Sequence, residues 1–387
     1  MRFITYICMT VLCFCVCSSA LAALIQVGPG KEFVSPSAAA EFAVDGDVVE
    51  IDAAGRYDGD VAVWRQNNLT IKGVNGRPHI RGTGRHAEGK ALWVIKGSNI
   101  TVENIEFSGA AVPDQNGAGI RHEGRGLTIR YCYFHHNENG LLSSSDPKSR
   151  ILVEYSEFSH NGYGKGFTHN IYIGRIERFI LRYSYIHHAK IGHNVKSRAE
   201  ETLIINNRIM DEDDGSSSYA IDIPNGGLTY IIGNVIQQGP RTENWTVIAY
   251  GAEGLRKSAN HLWVINNTIV NDRSRGVFFR IANHSKARLI NNLLVGKGKL
   301  LEGEAAESHN LGPLRDAGLL GKTQYDYRLN SSSPAIDAGL SVGELQNLGD
   351  GLDQFTRFEY KHVTDKQLRD ISGAIDIGAY EYRELGD

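Results

Sequence analysis

A short apolar phrase returns along this chain too regularly for an ordinary globule. It reads Glu103-Asn104-Ile105-Glu106-Phe107, then Arg130-Tyr131-Cys132-Tyr133-Phe134 and Glu154-Tyr155-Ser156-Glu157-Phe158. It continues as Arg182-Tyr183-Ser184-Tyr185-Ile186, Ile205-Asn206-Asn207-Arg208-Ile209 and Ile232-Gly233-Asn234-Val235-Ile236. Two further copies are Ile265-Asn266-Asn267-Thr268-Ile269 and Ile290-Asn291-Asn292-Leu293-Leu294. The central residues are separated by 27, 24, 28, 23, 27, 33 and 25 positions. A period in the twenties means stacked coils, in which each repeat buries its apolar face only against its neighbours. The 387 residues therefore form one elongated repeat domain rather than two or three globules.

The phrase alternates and is rich in β-branched and aromatic residues, so it reads as strand. The spaced leucines of a leucine-rich repeat are missing. The pattern predicts an all-β, single-stranded, right-handed parallel β-helix solenoid whose equivalent side chains stack about 4.8 Å apart. Asn207, Asn234, Asn267 and Asn292 share one column with Cys132, Ser156 and Ser184. Stacked amides at a bend can bond from coil to coil, so this column is expected to be an internal ladder and Cys132 a buried rung.

The two ends differ from the middle. Residues 1–22 read as a signal peptide: Arg2, an apolar run from Ile7 to Cys17, and Ala20-Leu21-Ala22 as the cleavage motif. The run is shorter than the roughly 20 residues that span a bilayer. The expectation is an exported protein, periplasmic or extracellular, with no membrane span after cleavage. Cleavage removes four of the five cysteines, so no disulfide framework is available to the remainder. Residues 23–60 read as an N-terminal cap and first coil, with a short helix after Ser35-Pro36-Ser37 and before Asp45-Gly46-Asp47. Coils occupy 61–300. From 301 to 387 the period fades into a loop-rich C-terminal cap containing Ser333-Pro334-Ala335-Ile336-Asp337-Ala338-Gly339.

The Asp-Gly-Asp entry, the coils of about 25 residues and the Ser-Pro-Ala-Ile-Asp-Ala-Gly ending resemble bacterial proteins of the pectate-lyase-like right-handed β-helix superfamily. That resemblance covers nearly all of the chain after the leader. It implies polysaccharide lyases, uronate epimerases, glycoside hydrolases or non-catalytic adhesins and tail proteins, and fold analogy does not choose among them. A formal charge of −3 and a pI near 6.5 argue against nucleic acid held through bulk charge.

Chemistry is concentrated in the middle coils. Eight of the 14 histidines fall between residues 122 and 193. Thr168-His169-Asn170-Ile171-Tyr172 and Gly192-His193-Asn194-Val195-Lys196 repeat 24 residues apart, and Tyr219-Ala220-Ile221-Asp222 keeps the register. With Ile171, Val195 and Ile221 facing in, alternation puts Arg121, Tyr172, Lys196 and Asp222 in one outward column. The same alternation puts Asn170 and Asn194 in a second outward column. His136, His160, His188, Asp211 and Gln238 form a further stack at a coil turn.

Uronate polymers are cleaved by β-elimination, which needs a group to neutralise the carboxylate, a base for the C5 proton and an acid for the leaving oxygen. Lys196 or His193, with His169 nearby, reads as base and Tyr172 as acid. Asn170, Asn194, Arg198, Arg121, Asp222, His160 and His188 read as substrate-binding. A C5 epimerase would use nearly the same parts. Hydrolysis needs two flanking carboxylic acids; the polygalacturonase order, Asp-Asp before Gly-His-Gly, is reversed here, with Gly192-His193-Asn194 preceding Asp213-Asp214. The acidic run of Asp211, Asp213 and Asp214 offers oxygen ligands suited to Ca²⁺. Trp64, Trp93, Trp245, Trp263, Tyr163 and Tyr250 are candidates for stacking on sugars. The 33-residue gap implies an insertion near Trp245 to Lys257, a wall of the groove. A non-catalytic carbohydrate-binding protein is the alternative in a different class.

Overall fold

The computed structural model describes residues 22–347, 356–371 and 373–384. Residues 1–21, which hold most of the expected leader, lie outside the described residues. Three parallel sheets of 10, 12 and 11 strands run the length of a solenoid. Around one coil the chain passes from the first sheet (Ile171–Ile173) to the second (Ile176–Arg182) and the third (Tyr185–His187), then enters the next coil at Val195–Ser197. Among the described residues no helix is long and apolar enough to cross a membrane.

The repeated phrase is the corner between the second and third sheets. Tyr131, Tyr155, Tyr183, Asn206, Gly233, Asn266 and Asn291 all have φ between 50° and 68°, a left-handed step that turns the strand sharply. Asn and Gly accept this conformation at low cost. The three tyrosines stack there instead, with ring centroids 5.2 Å apart at each step. The next residue points inward and joins the ladder. Asn234 Oδ1 accepts both the backbone N–H and the side-chain amide of Asn207, at 2.9 and 3.0 Å. The same bonds link Asn234 to Asn267, Asn267 to Asn292 and Asn292 to Asn310. Cys132, Ser156 and Ser184 continue the column, each backbone N–H donating to the next rung. The inward-pointing rungs of these buried corners are thereby satisfied without water, while the Asn206 amide beside them has no partner. Burial pushes the Cys132 thiol up to about 12, as suits a rung rather than a nucleophile.

The interior is filled by columns of identical side chains, such as the stacked rings of Phe107, Phe134 and Phe158, 4.9 and 4.5 Å apart. The helix Pro36–Phe42 is capped by Ser35 Oγ and sends Ala39 and Ala40 into this core. The C-terminal segment does more than cover the last coil. Ile377, Ala379 and Tyr380 pack on Val235, Val270 and Leu293 of the third sheet. Ile375 and Leu345 pack on Ile232 and Ile265 of the second. Its hairpin reaches back to the coil of Tyr183, where Lys366 lies over that ring.

Candidate active site

The first sheet carries the candidate residues in the expected register. Tyr172 pairs with Lys196 and Lys196 with Asp222, while Arg121 and Leu142 precede them in the same column. Arg121, His169, Tyr172, Lys196 and Arg198 line a cleft of about 490 Å³ together with Glu253, Phe167, Asn116 and Asn139.

Arg198 organises the cleft across four coils. Its Nε donates to Tyr172 Oη at 3.0 Å, Nη1 to Asn225 Oδ1 at 2.5 Å, and Nη2 reaches both carboxylate oxygens of Glu253 at 2.9 and 2.8 Å. Lys196 Nζ is 3.1 Å from Asp222 Oδ2 and 3.2 Å from Glu253 Oε1. Burial works against the charge on Glu253, but Arg198 and Lys196 hold its carboxyl below the usual range. Asp222 is pushed by burial up to about 6 despite Lys196, and its Oδ1 has no hydrogen-bond partner. Arg121 adds a third cation on the cleft wall and donates to Ser144 Oγ at 3.3 Å.

The histidines play a different part from the expected one. His169 Nδ1 accepts the backbone N–H of His193 at 2.9 Å, and His193 Nδ1 accepts that of Tyr219 at 3.1 Å. Burial and the neighbouring cations keep both rings neutral, His193 at about 3. A neutral imidazole has one lone pair, so in each ring the proton is on Nε2 and the pair is already used. His193 Nε2 is 3.4 Å from Asp222 Oδ2. Neither ring has a free lone pair for the C5 proton. They stack at 4.9 Å as a wall behind Lys196.

Several other expectations are corrected. Asn170 and Asn194 are wholly buried and face inward. The chain turns a corner just before each strand, so strict alternation does not extend across it. Their amides join a second ladder, Asn137–Asn161–Asn170–Asn194–Asp211, with bonds of 3.0, 2.8, 2.8 and 3.3 Å. They have no surface to offer a sugar. His160 and His188 do stack, with His136, at 4.7 and 5.1 Å, but at the end of the third sheet and not on the cleft. The three acids expected to hold Ca²⁺ do not converge. Asp211 turns into the ladder, Asp214 bonds His188, and Asp213 bonds Tyr325. Asp211 therefore does not share the outward stack of the histidines.

Of the six candidate aromatics, Trp64, Trp93, Trp263 and Tyr250 are buried, while Trp245 and Tyr163 are exposed. Phe167, which the sequence pattern did not single out, is 87% exposed and lines the cleft. Glu253 and Asn225 were also missed. The signal for Glu253 was the insertion itself, which does form a wall.

The family model described as "Right handed beta helix region" matches residues 60–236. A pectate lyase, Pel9A, superposes with a TM-score of 0.61 at 14% identity, covering 94% of this chain and 97% of that one. An alginate lyase from Paenibacillus sp. str. FPU-7 superposes at 0.51 with 13% identity, covering 75% of this chain and 99% of that one. No curated protein matches the sequence. At these identities the likeness is one of fold. The chain is a right-handed parallel β-helix.

Proposed function

We propose that this protein is an exported polysaccharide lyase that cleaves a uronate-containing polymer by β-elimination. One observation carries the reading. A carboxylate, that of Glu253, already occupies the cleft against Arg198 and Lys196, beside the Tyr172 hydroxyl. A uronate carboxylate that displaces it meets the same Arg198 guanidinium, with Lys196 Nζ beside it. The likeness of fold to a pectate lyase and an alginate lyase supports the substrate class.

In this reading Arg198 and Arg121 bind the uronate carboxylate and spread the charge that develops as C5 becomes acidic. Lys196 enters the step as the neutral amine, with Asp222 Oδ2 at 3.1 Å placed to take its extra proton. The amine removes the C5 proton. The electron pair left on C5 forms the C4–C5 double bond and expels the glycosidic oxygen from C4, and that oxygen takes the Tyr172 proton. Transfer from the Lys196 ammonium to the phenolate then restores both groups. Phe167 offers an exposed ring for a neighbouring sugar.

The test incubates residues 23–387 with polygalacturonate and with alginate, with and without Ca²⁺, and follows the ultraviolet absorbance of unsaturated uronate ends. Lys196→Ala and Tyr172→Phe are each expected to lower the rate by at least about 100-fold, the scale of a lost general acid or base, with an unchanged circular dichroism spectrum. New reducing ends without absorbance would mean a hydrolase. Altered uronate composition without cleavage would mean an epimerase. Binding without any product would leave a carbohydrate-binding protein.

A further inference from the structure

Two side-chain clusters on the outer face of the third sheet share a Glu–His–His arrangement and differ in the residue that the preceding coil adds to it. In one, His135 Nε2 is 3.0 Å from Glu106 Oε1, and its Nδ1 is 2.8 Å from His136 Nδ1. In the other, His187 Nε2 is 3.2 Å from Glu157 Oε1, and its Nδ1 is 2.6 Å from His188 Nδ1. The coil before Glu157 supplies Tyr133 at the neighbouring position. The coil before Glu106 supplies His79 there instead. His79 Nε2 is 3.5 Å from Glu106 Oε1, and one ligand atom from each of His79, Glu106 and His135 lies within 4.8 Å of the others.

We propose that His79, Glu106 and His135 form a divalent transition-metal site, with Zn²⁺ the ion it suits. Two imidazoles and one carboxylate match Zn²⁺, whereas Ca²⁺ and Mg²⁺ prefer oxygen alone. Zinc bonds near 2.0–2.1 Å separate neighbouring tetrahedral ligands by about 3.3 Å. The two carboxylate–imidazole spacings of 3.0 and 3.5 Å straddle that edge, and His79 Nε2 gives up its 2.7 Å hydrogen bond to Ser108 Oγ when the ion enters. The three side chains are 17–37% exposed, which leaves a side open for entry and a fourth ligand.

The outer contact is also in place. When His135 Nε2 turns its lone pair to the ion, its Nδ1–H donates to His136 Nδ1, whose own proton moves to Nε2. No proton leaves the pair, and the second histidine orients the first. The ion would bridge three successive coils, near the N-terminal end of the solenoid and outside the cleft. It would supply a crosslink to a solenoid whose one described thiol is a buried rung.

The experiment uses untagged, EDTA-treated residues 23–387 at pH 7.5. Zinc chloride titrated by calorimetry should bind one ion per chain with a dissociation constant on the order of 1 µM or below, and should raise the Tm. Co²⁺ in its place should give the visible absorption of a four-coordinate ion. His79→Tyr, which copies the sister cluster, and Glu106→Gln should each weaken Zn²⁺ more than about tenfold while keeping the metal-free Tm. His187→Asn, in the sister cluster, should bind Zn²⁺ like the parent. No Zn²⁺ binding by the parent, or equal binding by the parent and both His79→Tyr and Glu106→Gln, overturns the proposal.

Discussion

Four amides and one acid share the buried ladder at the wide turn of the middle coils, and the acid is the informative member. Asp211 accepts from Asn194 at 3.3 Å and from Ser217 Oγ at 2.5 Å, fully enclosed. Burial raises its carboxyl to about 6, above the ordinary 3.8, although both bonds favour the charged form. A raised folded-state pKa means that the native state holds the proton more tightly than the unfolded chain. Its contribution to stability is therefore full near pH 4, declines as pH rises to about 6, and is then constant. Asp211→Asn keeps the shape and removes the charge, and Ser217 can turn its hydroxyl to accept from the new amide. It is expected to be more stable than the parent at pH 8 by on the order of 2 kcal/mol, with the difference closing towards pH 4. Urea unfolding at both pH values checks this; a variant less stable at pH 8 would mean that the charge itself supports the turn. His160, lowered by burial to about 4, titrates at the edge of the same window but is common to both proteins. This residue also shows where sequence reading stops. Asp211 was legible as polar and near a turn, but nothing in the one-dimensional pattern says which way a side chain points at a corner. The same ambiguity misplaced Asn170 and Asn194, whereas Tyr172, Lys196 and Asp222, inside strands, landed in register.

At the scale of elements, the site depends on an insertion held firmly to the coil before it. Gly251 and Glu253 donate backbone N–H groups to Ile223 and Pro224, and Arg256 donates to Asn225. Gly251 and Gly254 take φ of 76° and 88°, a turn that a Cβ would strain. Lys257 Nζ ties the far end to Arg198 O and Glu200. The wall stays in place while the Glu253 side chain, 45% exposed, is free to rotate away. Under the lyase reading Glu253 competes with the substrate carboxylate for Arg198 and covers the Lys196 amine. Glu253→Gln is expected to lower KM for a uronate oligomer by about tenfold, the scale of one charge-assisted bond, with a smaller change in kcat. Steady-state kinetics on the two proteins decide it. An unchanged or higher KM would show that Glu253 positions the cations rather than occupying the substrate's place. The insertion was visible as the one long gap in the period. Its carboxylate was not, because no spacing rule links residue 253 to residue 198 before the coils are stacked.

At the scale of the whole molecule, the solenoid is a sum of neighbouring-coil contacts, and the C-terminal segment adds the long-range ones. Its own centre is an ion pair. Arg369 has a fully buried side chain, with Nε 2.5 Å from Glu381 Oε1 and Nη2 on the carbonyls of Asp376 and Gly378. From there Asp376 O accepts from Asn266, Ala379 N donates to Thr268, and Gly378 N donates to Asn291 O, all at corners of the late coils. Removing one partner of such a pair strands the other in the interior and costs roughly 3–5 kcal/mol. Glu381→Ala should therefore loosen this segment before the coils themselves. Hydrogen exchange should quicken in residues 356–371, 373–384 and 266–295, while residues 91–130, in the earlier coils, keep their protection. Uniform acceleration along the rod would show that the segment and the coils unfold as one unit. Loosening also uncovers Val235, Val270 and Leu293 on the third sheet, together with Ile232 and Ile265 on the second. Apolar faces of that kind associate in water, so light scattering at rising protein concentration should report self-association in the variant under conditions where the parent stays dispersed.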